Sequence, residues 1–190
     1  MTVKLVGSTS GSVSLQAPAS TTGGAHRVLT LPDADGTVAV GDTGKILQHS
    51  IISKNDQSSI TGTTPTAIPN FSITITPTAS DSIMVVEANM FLSNSGHVIC
   101  SRIYNGTSFL ISPNSFPTSN NQNGTSSIYH GSGEYMEQQH LMAFETSGNT
   151  NARTYSLYWN VTGGTGYINR WHGSSIYHSV STFRVTEIAA

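Results

Sequence analysis

The sequence predicts an all-β protein, in which residues 45–190 form a β-sandwich of the jelly-roll type, preceded by a small N-terminal β-module at 1–44. Several segments alternate apolar and polar residues with the period of two that half-buried strands require. Turn signals made of Gly, Pro, Asn and Asp separate these segments about every 10–15 residues, as in sandwiches and barrels. Only one window, 132–145, has a pattern that is also compatible with a helix. We therefore expect a helix content close to nil.

The segment at 7–40 has short runs separated by Pro and Gly turn residues, as folded β-structure has, but it carries few large apolar side chains. Val13 and Leu15 alternate with polar residues, and residues 28–31 form a second short strand that Pro32 ends. A segment this small and polar cannot bury a core of its own. The residues alone therefore leave two interpretations open: a disordered arm, or strands that become stable only when identical chains wrap around one another.

The larger domain follows a short joint at 41–44. The run at 82–92 is almost continuously apolar, which is typical of a central strand covered on both faces, with Glu87 as the exception. Asn105-Gly106 is a signal for a two-residue hairpin turn. We expect about eight to ten short strands in this domain. The clearest are 45–53, 68–77, 82–92, 98–104, 109–111, 154–162, 167–171 and 179–188.

Alternation also predicts which side chains face the core. In the last two long strands the inward residues are expected to be Tyr155, Leu157, Trp159, Val161, Phe183 and Val185. The window 132–145 fits a helix or a strand, and the all-β context favours a strand with Met136, Gln138, His140 and Met142 on one face. The longest predicted loop is 112–127, and loops of that length are usually binding loops or disordered.

Composition limits the classes of partner. Charged residues make up 9% of the chain, against about 25% in a typical domain, so neutral polar residues must build the surface. The net charge is −2 and the eight Lys and Arg are scattered, which argues against nucleic-acid binding. Cys100, the single cysteine, is expected to be a buried strand thiol.

The sequence contains no signal peptide and no apolar run long enough to span a membrane. We therefore expect synthesis in the cytoplasm of the producing cell, without membrane insertion. A composition suited to the outside of a cell, combined with the lack of an export signal, suggests release by lysis, as for a phage particle.

Motifs for catalysis or metal binding do not stand out. None of the seven histidines has the short spacing of a metal-binding pair, although one histidine per chain could still form a site on a threefold axis. Glu134, Glu137 and Glu145 lie close together in sequence, and a solvated strand face explains them better than a glycosidase pair. We predict no catalytic residue, no metal and no cofactor.

Aromatic residues in amide-rich loops form the remaining candidate surface. Aromatic rings stack on sugar faces, but Tyr and Trp are also enriched at protein interfaces, and we favour an interface over a glycan site. The candidate binding-loop residues are Phe116, Tyr129, Tyr167, Trp171 and Tyr177.

The segment GSTSGSVSLQAPAS, followed by LTLPDADGTV, resembles a module of fibre and virion-surface proteins from tailed bacteriophages, particularly marine and cyanobacterial ones. The following domain is similar to the one that accompanies that module, in KILQ at 45–48, SITITPTASDSIMVV at 72–86 and RVTEIAA at 184–190. The resemblance implies a homotrimer with an intertwined N-terminal β-stalk, three β-sandwich knobs and no enzymatic activity. The expected stalk and trimerisation positions are Gly7, Gly11, Val13, Leu15, Pro18, Leu31, Pro32 and Gly36.

The stalk module begins almost at Met1, whereas long tail fibres carry an extended N-terminal anchor. We therefore expect a capsid decoration protein or head fibre on the particle exterior, attached to capsid or tail proteins through its N-terminal end. The alternative is a tail-fibre tip or receptor-binding protein that recognises a host surface glycan.

Overall fold

The computed structural model describes residues 2–6, 12–16, 44–110, 124–131 and 135–190. By its contacts the chain divides into a first unit, Met1–Val40, and a second unit, Gly41–Ala190. That these units are a stalk and a knob with a boundary at residue 44 stays a prediction.

In the first unit, strands β1 (Thr2–Val6) and β2 (Ser12–Gln16) pair antiparallel. Strand β2 is the strand that the alternation of Val13 and Leu15 predicts. The predicted strand at 28–31 lies outside the described residues.

The described residues of the second unit form thirteen strands and no helix, which confirms the all-β prediction. This number exceeds the expected count of about eight to ten because several strands are too short to show a period of two. The strands are β3 (Ile46–Lys54), β4 (Ser58–Ile60), β5 (Thr66–Ile75), β6 (Ile83–Ser93), β7 (Val98–Tyr104), β8 (Phe109–Leu110), β9 (Ser126–Tyr129), β10 (Glu137–Thr146), β11 (Arg153–Val161), β12 (Gly166–Ile168), β13 (Arg170–Trp171), β14 (Ser174–His178) and β15 (Ser181–Ile188).

A six-stranded antiparallel sheet is built around β6. Strand β10 pairs with one edge of β6, and β15 pairs with the other edge and then with β3. Beyond the end of β15, the short strands β12 and β4 continue the sheet. A five-stranded antiparallel sheet has the order β5-β11-β7, with β8 and β9 both paired to the outer edge of β7.

The hydrophobic core lies between these two sheets, which makes the second unit a β-sandwich. Phe71 of β5 meets Phe183 of β15 edge to face, with ring centroids 5.7 Å apart. The thiol of Cys100 is buried as expected. The inward positions predicted from alternation are also buried, namely Tyr155, Leu157, Trp159, Val161, Phe183 and Val185.

Strand β6 differs from the prediction of a strand covered on both faces. Its even-numbered residues, from Met84 to Leu92, are buried, whereas Val85, Glu87 and Asn89 are only half-buried. An antiparallel sandwich covers one face of each sheet, so a run that reads as continuously apolar still alternates in burial. The apolar residue Val85 therefore lies on the outer side of the sheet.

Strand β10 confirms the strand interpretation for 137–145 of the window 132–145, whereas 132–134 lie outside the described residues. Its buried side is formed by Gln139, Leu141 and Ala143, and the predicted common face that includes His140 and Met142 is the exposed one. Strand β9 occupies 126–129, so the predicted loop at 112–127 ends earlier than expected.

The turn between β7 and β8 is longer than predicted. Tyr104 pairs with Phe109, so the loop has four residues instead of two. The Asn105 side-chain oxygen accepts hydrogen bonds from the backbone N–H groups of Thr107 and Ser108, at 3.0 and 2.8 Å. This local bonding, with Gly106 at a φ of 89°, stabilises the wider turn.

Candidate functional site

The side of the six-stranded sheet that points away from the core carries an unusual number of apolar side chains. We call this side the six-stranded outer face. Cross-strand pairing arranges it in four rows: His140, Asn89, Thr182 and Ser53; Met142, Glu87, Arg184 and Ile51; Phe144, Val85, Thr186 and His49; and Thr146, Ile83, Ile188 and Ile46. Four of the apolar residues are at least half exposed, namely Ile46, Ile51, Met142 and Phe144. Exposed apolar side chains grouped in this way usually mark an interaction surface.

The charges of the six-stranded outer face neutralise each other. Arg184 donates hydrogen bonds from Nε and Nη2 to the two carboxylate oxygens of Glu87, at 2.8 and 2.7 Å. These bonds lower the pKa of Glu87, against the opposing effect of burial, and His140 lies 3.8 Å from the same carboxylate. Within the sixteen residues of the face, the acid and the base form one bidentate pair, so the face presents no net charge to a partner.

The corresponding side of the five-stranded sheet, which we call the five-stranded outer face, is built differently. Its edge near β5 consists of hydroxyl side chains, including Thr74 and Thr154, whose Oγ1 atoms are 2.7 Å apart. On β7, β8 and β11 the rings of Tyr104, Phe109 and Tyr158 pack against one another, with centroids 5.1–5.4 Å apart. These rings are half-buried in their own cluster.

A small open pocket lies where the β13–β14 pair meets the beginning of β10. It has a volume of about 290 Å³ and is lined by Tyr135, Met136, Trp171 and Tyr177. The rings of Trp171 and Tyr177 are 5.3 Å apart at an angle of 76°. Tyr135 and Tyr177 are 73% and 56% exposed, so their rings are accessible to a ligand. We call this feature the aromatic pocket.

The structure thus brings together two of the predicted binding-loop residues, Trp171 and Tyr177. Tyr167 packs under the guanidinium of Arg170, which lies 4.2 Å above its ring centroid, and Tyr129 is exposed on β9. Neither residue lines the aromatic pocket. Phe116 lies outside the described residues. Sequence reasoning missed Tyr135 and Met136 because they are more than thirty positions from their pocket partners.

Of the predicted stalk positions, Val13 and Leu15 lie in β2, opposite Leu5 and Val3. The other six lie outside the described residues, namely Gly7, Gly11, Pro18, Leu31, Pro32 and Gly36. Their role in trimerisation stays a prediction.

The described carboxylates of β10 do not form a catalytic pair. Glu137 and Glu145 are eight residues apart on one strand, a separation of roughly 27 Å at 3.4 Å per residue. Glu145 instead accepts hydrogen bonds from Tyr155 at 2.7 Å and Asn105 at 2.8 Å. Burial and this carboxylate raise the pKa of Tyr155. Glu145 therefore joins the two sheets as a structural residue.

Histidines occupy separate places in the described part of the chain, where no group of three metal-binding side chains comes together. His130 is almost fully buried, and burial lowers its pKa although Glu137 lies 3.9 Å from its Nδ1. His49 and His140 lie on the six-stranded outer face. The described residues also contain no helix with the length and apolarity of a membrane span.

Glu187 is a buried carboxylate that sequence reasoning did not single out. It points inward from β15 and accepts hydrogen bonds from Ser82 at 2.6 Å, Gln48 at 2.5 Å and the Thr78 backbone and hydroxyl at 2.7 and 2.9 Å. Burial alone would raise its pKa, but these donors outweigh burial and lower the pKa to about 2. The carboxylate thereby ties β15 and β3 to the segment that links β5 with β6.

Comparison with protein-family models gave no match, and comparison with curated proteins gave none either. Among solved structures, the chain is similar to a chain in the structure of the infectious bursal disease virus Gt strain. The identity is 13% and the TM-score 0.43, over 97% of this chain and 46% of that one. It is also similar to the VP2 subviral particle of that virus, with 13% identity and a TM-score of 0.33 over 84% and 46% of the two chains. A third similar structure, of T=1 particles derived from the virus, has 12% identity and a TM-score of 0.36 over 97% and 44%. The chain spans less than half the length of each of these proteins.

Proposed function

We infer that this protein is a non-enzymatic structural protein on the exterior of a bacteriophage particle, a homotrimer attached through its N-terminal stalk as a capsid decoration protein or head fibre. The resemblance of 7–40 and of the knob landmarks to phage virion-surface proteins supports the location. The scarcity of charged residues suits a surface whose contacts are apolar and neutral.

The observation that carries the trimer is the six-stranded outer face. Exposed Phe144, Met142 and Ile51 would be removed from water if each copy turned this face toward a threefold axis. A face meeting copies of itself must avoid like-charge repulsion, and the Glu87–Arg184 pair achieves this because it is neutral within each chain. A second copy is therefore the occupant that we assign to this face.

Two measurements test this proposal. The mass of the full chain in solution should be three times its 20.1 kDa, and a monomer at micromolar concentration would contradict the trimer. Quantitative mass spectrometry of purified particles should then find a copy number comparable with that of the major capsid protein. A copy number matching only the few tail positions would replace decoration by a fibre role.

A further inference from the structure

We propose that the aromatic pocket binds one neutral pyranose ring of a carbohydrate. This inference goes beyond the proposed structural role, since a decoration protein needs no ligand. It rests on the shape of the pocket, on the chemistry of its lining and on the support that holds it.

The pocket has the shape of a corner that fits one sugar ring. Trp171 and Tyr177 stand at 76° to each other, so a flat ligand stacked on one ring meets the second ring with its edge. A volume of about 290 Å³ is at the small end for ligand pockets and leaves room for a single ring. The opening to solvent allows the sugar to remain part of a longer chain.

The lining matches a ligand that is apolar on its faces and polar at its rim. Aromatic faces carry negative potential, which attracts the partially positive C–H groups of a pyranose face. Tyr135, Tyr177 and Trp171 each add one O–H or N–H group at the end of an apolar ring, and sugar hydroxyls can accept from these donors. A purely aliphatic ligand would desolvate the donors without pairing them. The described lining contains no ionisable acid or base of the Asp, Glu, Lys or Arg type, so a neutral sugar is favoured over an anionic one.

The backbone that precedes Trp171 is hydrogen-bonded to the six-stranded sheet. Asn169, which precedes β13, donates from its backbone to Phe91 at 2.8 Å and from Nδ2 to the Lys54 carbonyl at 2.7 Å. The Ser93 hydroxyl donates to the Arg170 carbonyl at 2.7 Å, directly beside Trp171. These bonds preorganise this backbone, so little of its conformational entropy is lost when a ligand binds.

Saturation-transfer NMR on the full chain provides the test, with the methyl glycosides of glucose, galactose, mannose and N-acetylglucosamine as separate probes. We expect transfer from at least one glycoside, with a Kd of about 1 mM, which is typical of so small a ligand. Tryptophan fluorescence should report the same binding, since Trp159 is buried in the core and Trp171 is half-buried and lines the pocket. Lack of transfer from all four glycosides would overturn the proposal.

Variants locate the binding and separate it from assembly. Trp171→Ala and Tyr177→Ala should each weaken binding at least about tenfold, whereas Tyr129→Ala removes an exposed ring outside the pocket and should leave binding unchanged. Trp171→Phe keeps an aromatic ring at this position and should retain part of the affinity. This conservative variant keeps the proposal testable if Trp171→Ala fails to fold. Equal binding by a folded Trp171→Ala protein would refute the site. The mass of each variant, measured in parallel, shows whether the trimer persists independently of sugar binding.

Discussion

The two outer faces of the sandwich belong to sheets of similar construction but carry different side chains. The five-stranded outer face presents hydroxyl groups near its β5 edge, packs the rings of Tyr104, Phe109 and Tyr158 into one cluster, and exposes the ring of Tyr129 on β9. The six-stranded outer face leaves Phe144, Met142 and Ile51 at least half exposed around one neutral ion pair. The exposed apolar side chains of the six-stranded outer face are the kind that mark an interaction surface, and on the proposed function a second copy covers them while the five-stranded outer face meets water.

The largest effect that separates the two faces is expected from placing a charge on each. Phe144→Asp should convert the proposed trimer to a monomer, because an unpaired carboxylate in an interface costs at least about 2 kcal/mol. The matched variant Thr74→Asp on the five-stranded outer face should leave the mass unchanged. Sedimentation velocity distinguishes the two, and dissociation by both variants would remove the contrast between the faces.

Substitution of the buried Glu187 should destabilise the fold more than substitution of a residue on either outer face. Glu187→Ala should destabilise the fold by about 3 kcal/mol, because Ser82, Gln48 and Thr78 lose a charged acceptor inside the sandwich. Its neighbour Thr186 lies on the six-stranded outer face, where its hydroxyl is 2.9 Å from His49 Nδ1, so Thr186→Ala should lower the unfolding free energy by no more than about 1 kcal/mol. Urea unfolding of both variants, carried out in a monomeric Phe144→Asp background, measures the difference.

The same carboxylate predicts a direction of pH dependence. Its pKa falls from 4.5 to about 2 on folding, so its contribution to stability is complete above pH 4.5 and is lost as the pH falls toward 2. Urea midpoints between pH 6 and 2.5 should therefore fall more steeply for the native protein than for Glu187→Gln. Parallel curves for the two proteins would argue against the buried network.

A smaller effect is expected from the ion pair on the six-stranded outer face. In the monomeric background, Arg184→Met should cost no more than about 1 kcal/mol, because the pair is partly exposed. In the assembled protein the loss should be larger, since Glu87 would be left unpaired in the interface. A double-mutant cycle with Glu87→Gln, measured in both backgrounds, gives the difference; equal coupling energies would place the pair outside any interface.

The smallest effect is expected for Thr74→Val on the five-stranded outer face. The substitution removes one hydroxyl of a 2.7 Å pair with Thr154 at an exposed site, and the unfolding free energy should change by no more than about 0.5 kcal/mol. Thermal unfolding measures it. A loss above about 2 kcal/mol would mean that this face is covered by a partner as well.

Much of the fold could be predicted because alternation is a local property. Residues such as Leu157, Trp159 and Phe183 were assigned to the core from their own strands alone, and they are buried. The sequence predicts the position of the turn after β7 but not its length. The turn has four residues because the side chain of Asn105 accepts hydrogen bonds from the backbone of Thr107 and Ser108. The second face of β6 was assigned wrongly, because composition cannot distinguish a buried apolar residue from one exposed on an outer face.

The candidate sites were less predictable, because they depend on residues far apart in the sequence. The chain by itself determined the strand periods, the shortage of charge and the common face of His140 and Met142, all of which follow from local pattern and composition. That this face points outward was decided by the tertiary structure. Only the tertiary structure decided that Phe144, Val85 and His49 form one row, that Tyr135 and Trp171 line one pocket, and that Glu187 accepts a hydrogen bond from Ser82. The physical reason is that strand register and sheet order arise from long-range pairing, which no local period encodes.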